Sequence, residues 1–424
     1  MKLLATRRFG PYFATQFLNA FNDNLYKTAM LFLVTYRLLA DDPAGAAGLV
    51  SIAAGMLMLP FLLFSGIAGM LADAVDKAHI ARVVKTAEIG IMALGALALS
   101  GTSIPLLMGV VFLLGVHSTF FSPIKYSILP QHLQPQEVLL GTGLTEGGTF
   151  VAILLGQVLG GLLPVDWAAI GILGFALLGA VTARAIPPAP PAADARPVDW
   201  NPLTSTRTIV RETYRNPAVR DATIAISWFW GLGTVYTTQF IPLVKGVLHA
   251  SEGVATLFLA TFSVGIAAGS VGVARLLKGR ITARAAPFAV AVLALVGVEL
   301  LFSIRAMPVS ASPLAPRAFF AQWQAWRIAF DLFVLAAAGG VFSVPLYAIL
   351  QTASGAETRA GAIAANAFIS AFFIVGAALA AGAAAGAGVP IPLILMVTGL
   401  SGVLLWPLLR RLDRMKWTEA PAAC

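Results

Sequence analysis

Apolar residues run in long stretches along this chain, broken by short polar or charged segments, and nowhere is there sustained alternation of apolar and polar positions at period two. About 20 apolar residues in a helix cross the hydrocarbon core of a bilayer, whereas period-two alternation marks a transmembrane barrel. The pattern therefore predicts helical spans at residues 9–39, 47–72, 79–100, 103–129, 136–163 and 167–186, then 217–245, 251–277, 281–304, 326–351, 358–386 and 389–410. The one long interruption is residues 187–216, PPAPPAADARPVDWNPLTSTRTIVRETYRN. Its front reads as a Pro/Ala linker, and its back, from Pro202 to Arg215, as an amphipathic helix lying on the inner leaflet. The first span is no cleavable signal. Arg7 and Arg8 precede a segment longer than a signal core, which Asn19, Asn22, Asp23, Asn24 and Lys27 interrupt, with no small-residue cleavage site behind it.

Six spans on each side of one polar stretch suggest a duplication. The fourth span ends FSPIKYSIL (Phe121 to Leu129) and the tenth ends FSVPLYAIL (Phe342 to Leu350), so that Phe, Ser, Tyr, Ile and Leu recur at a constant offset of 221. A repeat at the same place in both halves predicts an all-α membrane protein of twelve transmembrane helices in two pseudo-symmetric halves. The expected domains are residues 1–186, a cytoplasmic linker at 187–216, and 217–424 with a short tail. This plan resembles the major facilitator superfamily, whose substrate path runs between the halves.

Composition agrees. With 58% hydrophobic residues, 11% charged residues and a mean hydropathy of +0.86, the chain lies far from a soluble domain. A net charge of +9 invites a nucleic-acid reading, which fails once the charges are placed. With the N-terminus inside, most Lys and Arg fall in inner loops, from Lys2, Arg7 and Arg8 to Arg410 through Lys416. Only Arg37, Lys245, Arg305, Arg317 and Arg327 fall outside, and Lys27 lies within the first span. That asymmetry predicts both termini in the cytoplasm. The single cysteine, Cys424, excludes an internal disulfide, and His79, His117, His132 and His249 have no zinc-site spacing, so neither metal nor cofactor is expected. Enzyme motifs are missing too: there is no GxSxG and no Walker A, and His132 to Glu137 is only an approximate HxxxxD.

Between the second and third spans, GMLADAVDKAH (Gly69 to His79) is similar to the superfamily's G-x-L-a-D-r-x-G-r-k motif. Gly69, Leu71, Ala72, Asp73 and Lys77 match; Ala74 and Asp76 stand where Arg and Gly are usual. A glycine lets two helices approach closely, and a carboxylate there can pair with a helix dipole or a cation. Longer stretches carry a narrower resemblance: QFLNAFNDNLYKTAM (Gln16 to Met30), LPFLLFSGIAGMLADAVDKAHIARVVKTAEI (Leu59 to Ile89), STFFSPIKYSILPQHL (Ser118 to Leu133), GTGLTEGGTFVAILLG (Gly141 to Gly156), VPLYAILQ (Val344 to Gln351) and AIAANAF (Ala362 to Phe368). Together they resemble the bacterial lysophospholipid transporter family of this superfamily. Gly141 to Gly143 and Thr145 to Gly147 depart from the family's Asn- and Met-containing text. Some members are fused to an acyltransferase and an acyl-carrier-protein ligase; with the last residue at Cys424, neither is expected here.

Ionisable residues inside spans are costly and usually line a pathway. Asp23 and Lys27 are one turn apart on the first span, either a self-contained ion pair or facing a cavity, with Asn19, Asn22 and Asn24 around them. Lys125 has the apolar Leu346 as its repeat counterpart and reads either as a phosphate ligand or as a lysine reaching the interface. Glu146, among glycines and threonines, reads as a cavity carboxylate or a partner of Lys125. Lys85 with Glu88 reads as a structural pair near the inner surface, and Arg327 with Asp331 as a local ion pair. The glycine pairs Gly156/Gly160 and Gly265/Gly269 read as helix packing. Candidate substrate-binding residues are thus Asp23, Asn24, Lys27, Lys125 and Glu146; candidate gating residues are Gly69, Asp73, Lys77 and Arg220.

The resemblance implies a monomeric inner-membrane flippase surrounded by membrane lipids. It would move lysophospholipids from the outer to the cytoplasmic leaflet by alternating access with lateral entry, for re-acylation by a separate acyltransferase or acyl-ACP synthetase. The alternative from another substrate class is proton-coupled efflux of amphipathic drugs, which also needs an intramembrane carboxylate.

Overall fold

The computed structural model describes residues 2–308, 310 and 312–415. Lys416 and Cys424, both used above, lie outside them. Every predicted span is helical. α1 (Gly10–Leu33), α2 (Pro43–Ala74), α3 (Lys77–Gly101), α4 (Ile104–Ser127), α5 (Pro135–Leu162) and α6 (Val165–Arg184) precede α7 (Pro202–Arg215). After it come α8 (Pro217–Pro242), α9 (Glu252–Leu276), α10 (Ala285–Arg305), α11 (Trp323–Ala353) and α12 (Arg359–Gly386). The last span is α13 (Ile391–Ser401), continued through a 3-10 turn into α14 (Trp406–Arg414).

Among the described residues, ten helices are both long and apolar enough to cross a membrane. α1 and α8 are long enough, at 24 and 26 residues, but polar. α1 carries Asp23, Lys27 and three asparagines, and α8 carries Arg220 and Asp221. Each opens one run of six spans, and each ends in a π-helical turn, Val34–Leu38 and Leu243–Val247. The repeat therefore extends beyond the FSPIKYSIL segment. Pro123 and Pro345 lie inside α4 and α11, tolerated because neighbouring helices re-satisfy the freed carbonyls.

The chain packs as two compact units. The first holds residues up to Gln134, Val151–Asn216 and Gln351–Phe368; the second holds Pro135–Phe150, Pro217–Leu350 and the residues from Ile369 onward. In the first, Leu25, Tyr26 and Met30 of α1 meet Met92, Leu114 and Ile172 in one buried apolar cluster. α5 crosses α1 through the predicted glycine pair. A methyl group on Gly156 would stand 2.3 Å from the Phe21 carbonyl oxygen, and one on Gly160 would stand 2.7 Å from that of Leu25. In the second unit, Gly265 and Gly269 do the same for α9, with a Gly269 methyl 1.9 Å from the Ala337 carbonyl oxygen. Both pairs serve close helix packing.

The polar stretch differs from a free spacer. Asp76 accepts a hydrogen bond from Ala189 N at 2.9 Å, Ala189 O accepts one from Lys77 N at 3.0 Å, and Arg82 Nη2 donates to Ile186 O at 2.8 Å. Asp76 also caps α3 through His79 N at 2.9 Å. A glycine at position 76 offers neither bond, which accounts for this departure from the motif. α7 begins where predicted, with the Asn201 side chain accepting from Leu203 N at 3.0 Å. Its inner face, Ser205, Ile209 and Thr213, is buried, and Ile209 packs with Met70, Ala364 and Ala365. The helix therefore rests on α2 and the start of α12 as well as facing outward.

Candidate functional site

In the first unit, polar side chains from α1, α3 and α4 converge. Asp23, half-buried, accepts from Ser118 Oγ at 2.8 Å and from Asn19 Nδ2 at 3.2 Å. Lys85 Nζ lies 3.5 Å from Asn19 Oδ1 and forms an ion pair with Glu88, with both side chains fully buried. Glu88 also accepts from Asn22 Nδ2 at 3.0 Å and faces His117 Nε2 at 3.4 Å. Asn22 donates as well to the Ile172 carbonyl at 3.1 Å, so α6 joins the cluster. Charges out of water survive only when paired and hydrogen-bonded, and each of these meets an opposite charge or an amide. Gly179 on α6 leaves room for the lysine: a methyl there would stand 2.7 Å from Lys85 Cε.

Lys85 and Glu88 pair at i,i+3 as expected, and the pair is fully buried within the protein. Asp23 draws its hydrogen-bond donors from Ser118 and Asn19 rather than from Lys27, although the Lys27 charge acts on it from one turn away. Asn24 turns elsewhere, donating to Ala20 O at 2.8 Å and lying 3.5 Å from Gln157 Nε2. Sequence reading missed His117 and Ser118 as members. The usable signal was an ionisable side chain near the middle of a predicted span.

The loop motif forms a second polar centre in the same unit. Asp73 Oδ1 accepts from Ala360 N at 2.8 Å and Oδ2 from Gly361 N at 2.7 Å. The carboxylate therefore caps the first turn of α12, where unsatisfied N–H groups and the helix dipole favour negative charge. Gly69 permits the approach, since a methyl there would lie 2.6 Å from Ala364 Cβ. Lys77 is buried beside Asp73 and Asp76, with Arg359 as the neighbouring cation. Nearby, the His132 ring lies 3.2 Å from the Pro188 carbonyl oxygen. Burial pushes its imidazole below the ordinary value, against the pull of that carbonyl, which gives this histidine a structural place on the linker.

Lys125 is half-buried at the end of α4, with its ammonium 5.0 Å from the Tyr126 ring centroid. Tyr12 of α1 donates to the Lys125 carbonyl, two residues after the proline. Glu146 belongs to the second unit. It is fully buried, and its charge reaches Tyr347, whose hydroxyl accepts from Trp230 Nε1 at 2.7 Å. Phe150 stacks on Trp230 at 6.0 Å. Gly143 and Gly147 flank Glu146 and bring α5 against α9: a methyl on Gly143 would stand 2.5 Å from Ser270 O. The glycines of this departing segment thus have a packing role. An apolar cavity of about 360 Å³ also lies in this unit, bounded by Trp228, Leu232, Phe373, Ala380 and Ile394.

Arg220 pairs with Asp221 at 3.0 Å, and the other oxygen of Asp221 accepts from Arg411 Nε at 2.5 Å, tying α8 to α14. The expected Arg327–Asp331 pair is replaced: Arg327 pairs with Glu299, and Asp331 accepts from Ser303 Oγ at 2.5 Å. Both partners come from α10, because packing brings that helix nearer than the next turn of α11. Among the described residues, no group of His, Cys, Asp and Glu is arranged to hold a metal ion.

The Major Facilitator Superfamily pattern matches residues 12–320 of this chain. The Lysophospholipid transporter LplT of Cronobacter sakazakii is 29% identical over 354 residues, covering 82% of this chain and 80% of that protein. The protein of the same name from Escherichia coli O157:H7 is 30% identical over 355 residues, with 82% and 80% covered. Among solved structures, FucP in its outward conformation aligns with a TM-score of 0.72 at 13% identity, covering 96% of this chain and 99% of that one. The human organic anion transporter MFSD10 aligns with a TM-score of 0.66 at 13% identity, covering 95% and 99%. At such identities these two likenesses speak to the fold alone.

Proposed function

We propose that this chain, which belongs to the lysophospholipid transporter family of the Major Facilitator Superfamily, moves lysophospholipids from the outer to the cytoplasmic leaflet of the bacterial inner membrane. It is a multi-pass membrane transporter and not an enzyme. A separate acyltransferase or acyl-ACP synthetase then restores the second chain. Both termini face the cytoplasm, the working unit is a monomer, and residues 1–186 and 217–424 are the halves whose alternating access carries the lipid.

One observation supports the chemistry most directly: Asp23, only half-buried, is held by Ser118 and Asn19 with Lys27 a turn away, so a span presents an oriented carboxylate beside a cation. A lysophospholipid offers a phosphate, in some head groups an ammonium, and one acyl chain. Lys125 and Lys27 suit the phosphate, Asp23 and Glu146 suit the ammonium, and Asn24 orients the head group. Asp73, with Gly69 and Lys77, closes the cytoplasmic side by capping α12, and Arg220 moves with Asp221 as that side opens.

The test is counterflow of labelled lysophosphatidylethanolamine in spheroplasts, set against a lipophilic cation. Exchange of the lysolipid is expected. Exchange of the cation alone would overturn the reading in favour of drug efflux. In purified protein, Lys125→Ala should weaken every lysophospholipid by about 1.5–3 kcal/mol, the value of a lost charged hydrogen bond. Glu146→Gln should cost most for ethanolamine and least for glycerol head groups, and equal losses would reject its role.

A further inference from the structure

α7 has two working faces. The inner one, Ser205, Ile209 and Thr213, is buried on the first unit, with Ile209 against Met70 and Ala364. Contact there is close: a methyl on Gly66 of α2 would stand 2.3 Å from Thr206 N, and one on Gly361 would stand 3.3 Å from Ile209 Cγ2 and 3.1 Å from Asp73 Oδ2. The helix therefore sits directly beneath the point where Asp73 caps α12.

The outer face is unusual for a surface helix. At 3.6 residues per turn, Leu203 and Tyr214 fall along one flank, with Arg207, Arg211 and Arg215 beside them, while Val210 packs at the edge of the inner cluster. Leu203 is 82% exposed and Tyr214 44%, and Trp200, just before the helix, is 67% exposed. All three arginines are exposed. The acidic groups nearest the helix are already engaged: Glu212 pairs with Arg196, and Asp199 accepts from Thr204 and Asn201. Among the described residues, no carboxylate lies within ion-pair distance of Arg207, Arg211 or Arg215.

α7 ends at Arg215, and α8 begins at Pro217, so one residue separates the helix from a membrane span. An apolar strip edged by unneutralised arginines at that height complements acyl chains below anionic phosphates. We propose that the outer face of α7 binds the acidic phospholipids of its own membrane, and that this contact holds the inner face against the Asp73 cap. Lipid charge then sets how firmly the cap is kept. The contact stands independently of which substrate is carried.

Depth is the measurement. In full-length protein carrying Cys424→Ser and Leu203→Cys, a spin label at position 203 should lie in the oxygen-rich edge of the hydrocarbon when the vesicles contain about one-third phosphatidylglycerol. It should move towards water in pure phosphatidylcholine, and in the variant Arg207→Gln, Arg211→Gln, Arg215→Gln in either lipid, by about fivefold in local partition per arginine removed. Raising salt on the unsubstituted arginines should release the label in the same way, which needs no folding of the triple variant. A label equally deep, or equally aqueous, under all these conditions overturns the proposal. A second readout is the rate of lysophospholipid flipping, which should depend on phosphatidylglycerol in the parent and lose that dependence in the triple variant. Dependence retained in that variant overturns the link to the cap even where the label is deep.

Discussion

The interiors of the two units start from related sequences and end in different chemistry. In the first, α1, α3 and α4 enclose Asp23, Lys85, Glu88 and His117, threaded by Asn19, Asn22 and Ser118. In the second, the space around the repeat segment is aromatic: Phe342 packs against Trp228 and Phe229, and Tyr347 takes a hydrogen bond from Trp230. Tyr126 and Tyr347 are repeat counterparts, one with a lysine over its ring and the other with an indole N–H on its hydroxyl. A duplicated scaffold keeps its helix positions because packing demands them, whereas the side chains turned inward are free to diverge. Here one interior came to hold a network of charges, whereas the other set aromatic surface beside the buried carboxylate of Glu146.

If the first interior is held by mutual neutralisation, Glu88→Ala should have the largest effect. It strands the Lys85 ammonium in a buried site at a cost of about 3–5 kcal/mol, read as a fall in the thermal midpoint of purified protein. Lys85→Met added to it should restore most of the loss. A double variant no better than the single would mean that the pair is not the reason. Next comes Gly179→Ala, whose methyl would crowd Lys85 Cε at 2.7 Å, for about 1–3 kcal/mol. Gly174→Ala on the same helix meets nothing within 4 Å and is the control; equal losses at both would place the cost in the helix rather than the lysine. Smallest is Tyr347→Phe in the second interior. Losing one neutral hydrogen bond should cost about 0.5–1.5 kcal/mol and shift the emission of Trp230. A loss as large as that of Glu88→Ala would erase the contrast between the two interiors.

Local features were legible in the residues alone. Hydropathy located the spans, glycine spacing located the two tight crossings, and amphipathic patterning located α7, because each of these properties repeats within a turn or two of one helix. Asp73 was recognisable as well, since a carboxylate at a helix end pairs with a helix dipole or a cation, and the cap of α12 is the first of these. The repeat at Phe121 and Phe342 announced the fold for the same reason: identical residues at a constant offset need no coordinates.

What escaped the sequence were choices of partner. Arg327 was four residues from Asp331 yet took Glu299, and Lys85 with Glu88 formed the expected pair but also drew in His117 and Asn22 from other helices. Asp76 looked like a defect in a motif until Ala189, far along the chain, came to meet it. Periodicity states which residues share a face but not which face is turned inward or which helix lies opposite. That is decided by how the helices pack, and packing sums many weak contacts between segments distant in sequence. The amino-acid sequence by itself determined the spans and the repeated segment; only the tertiary structure decided which buried charges neutralise one another, because a charge out of water takes the partner that packing brings nearest.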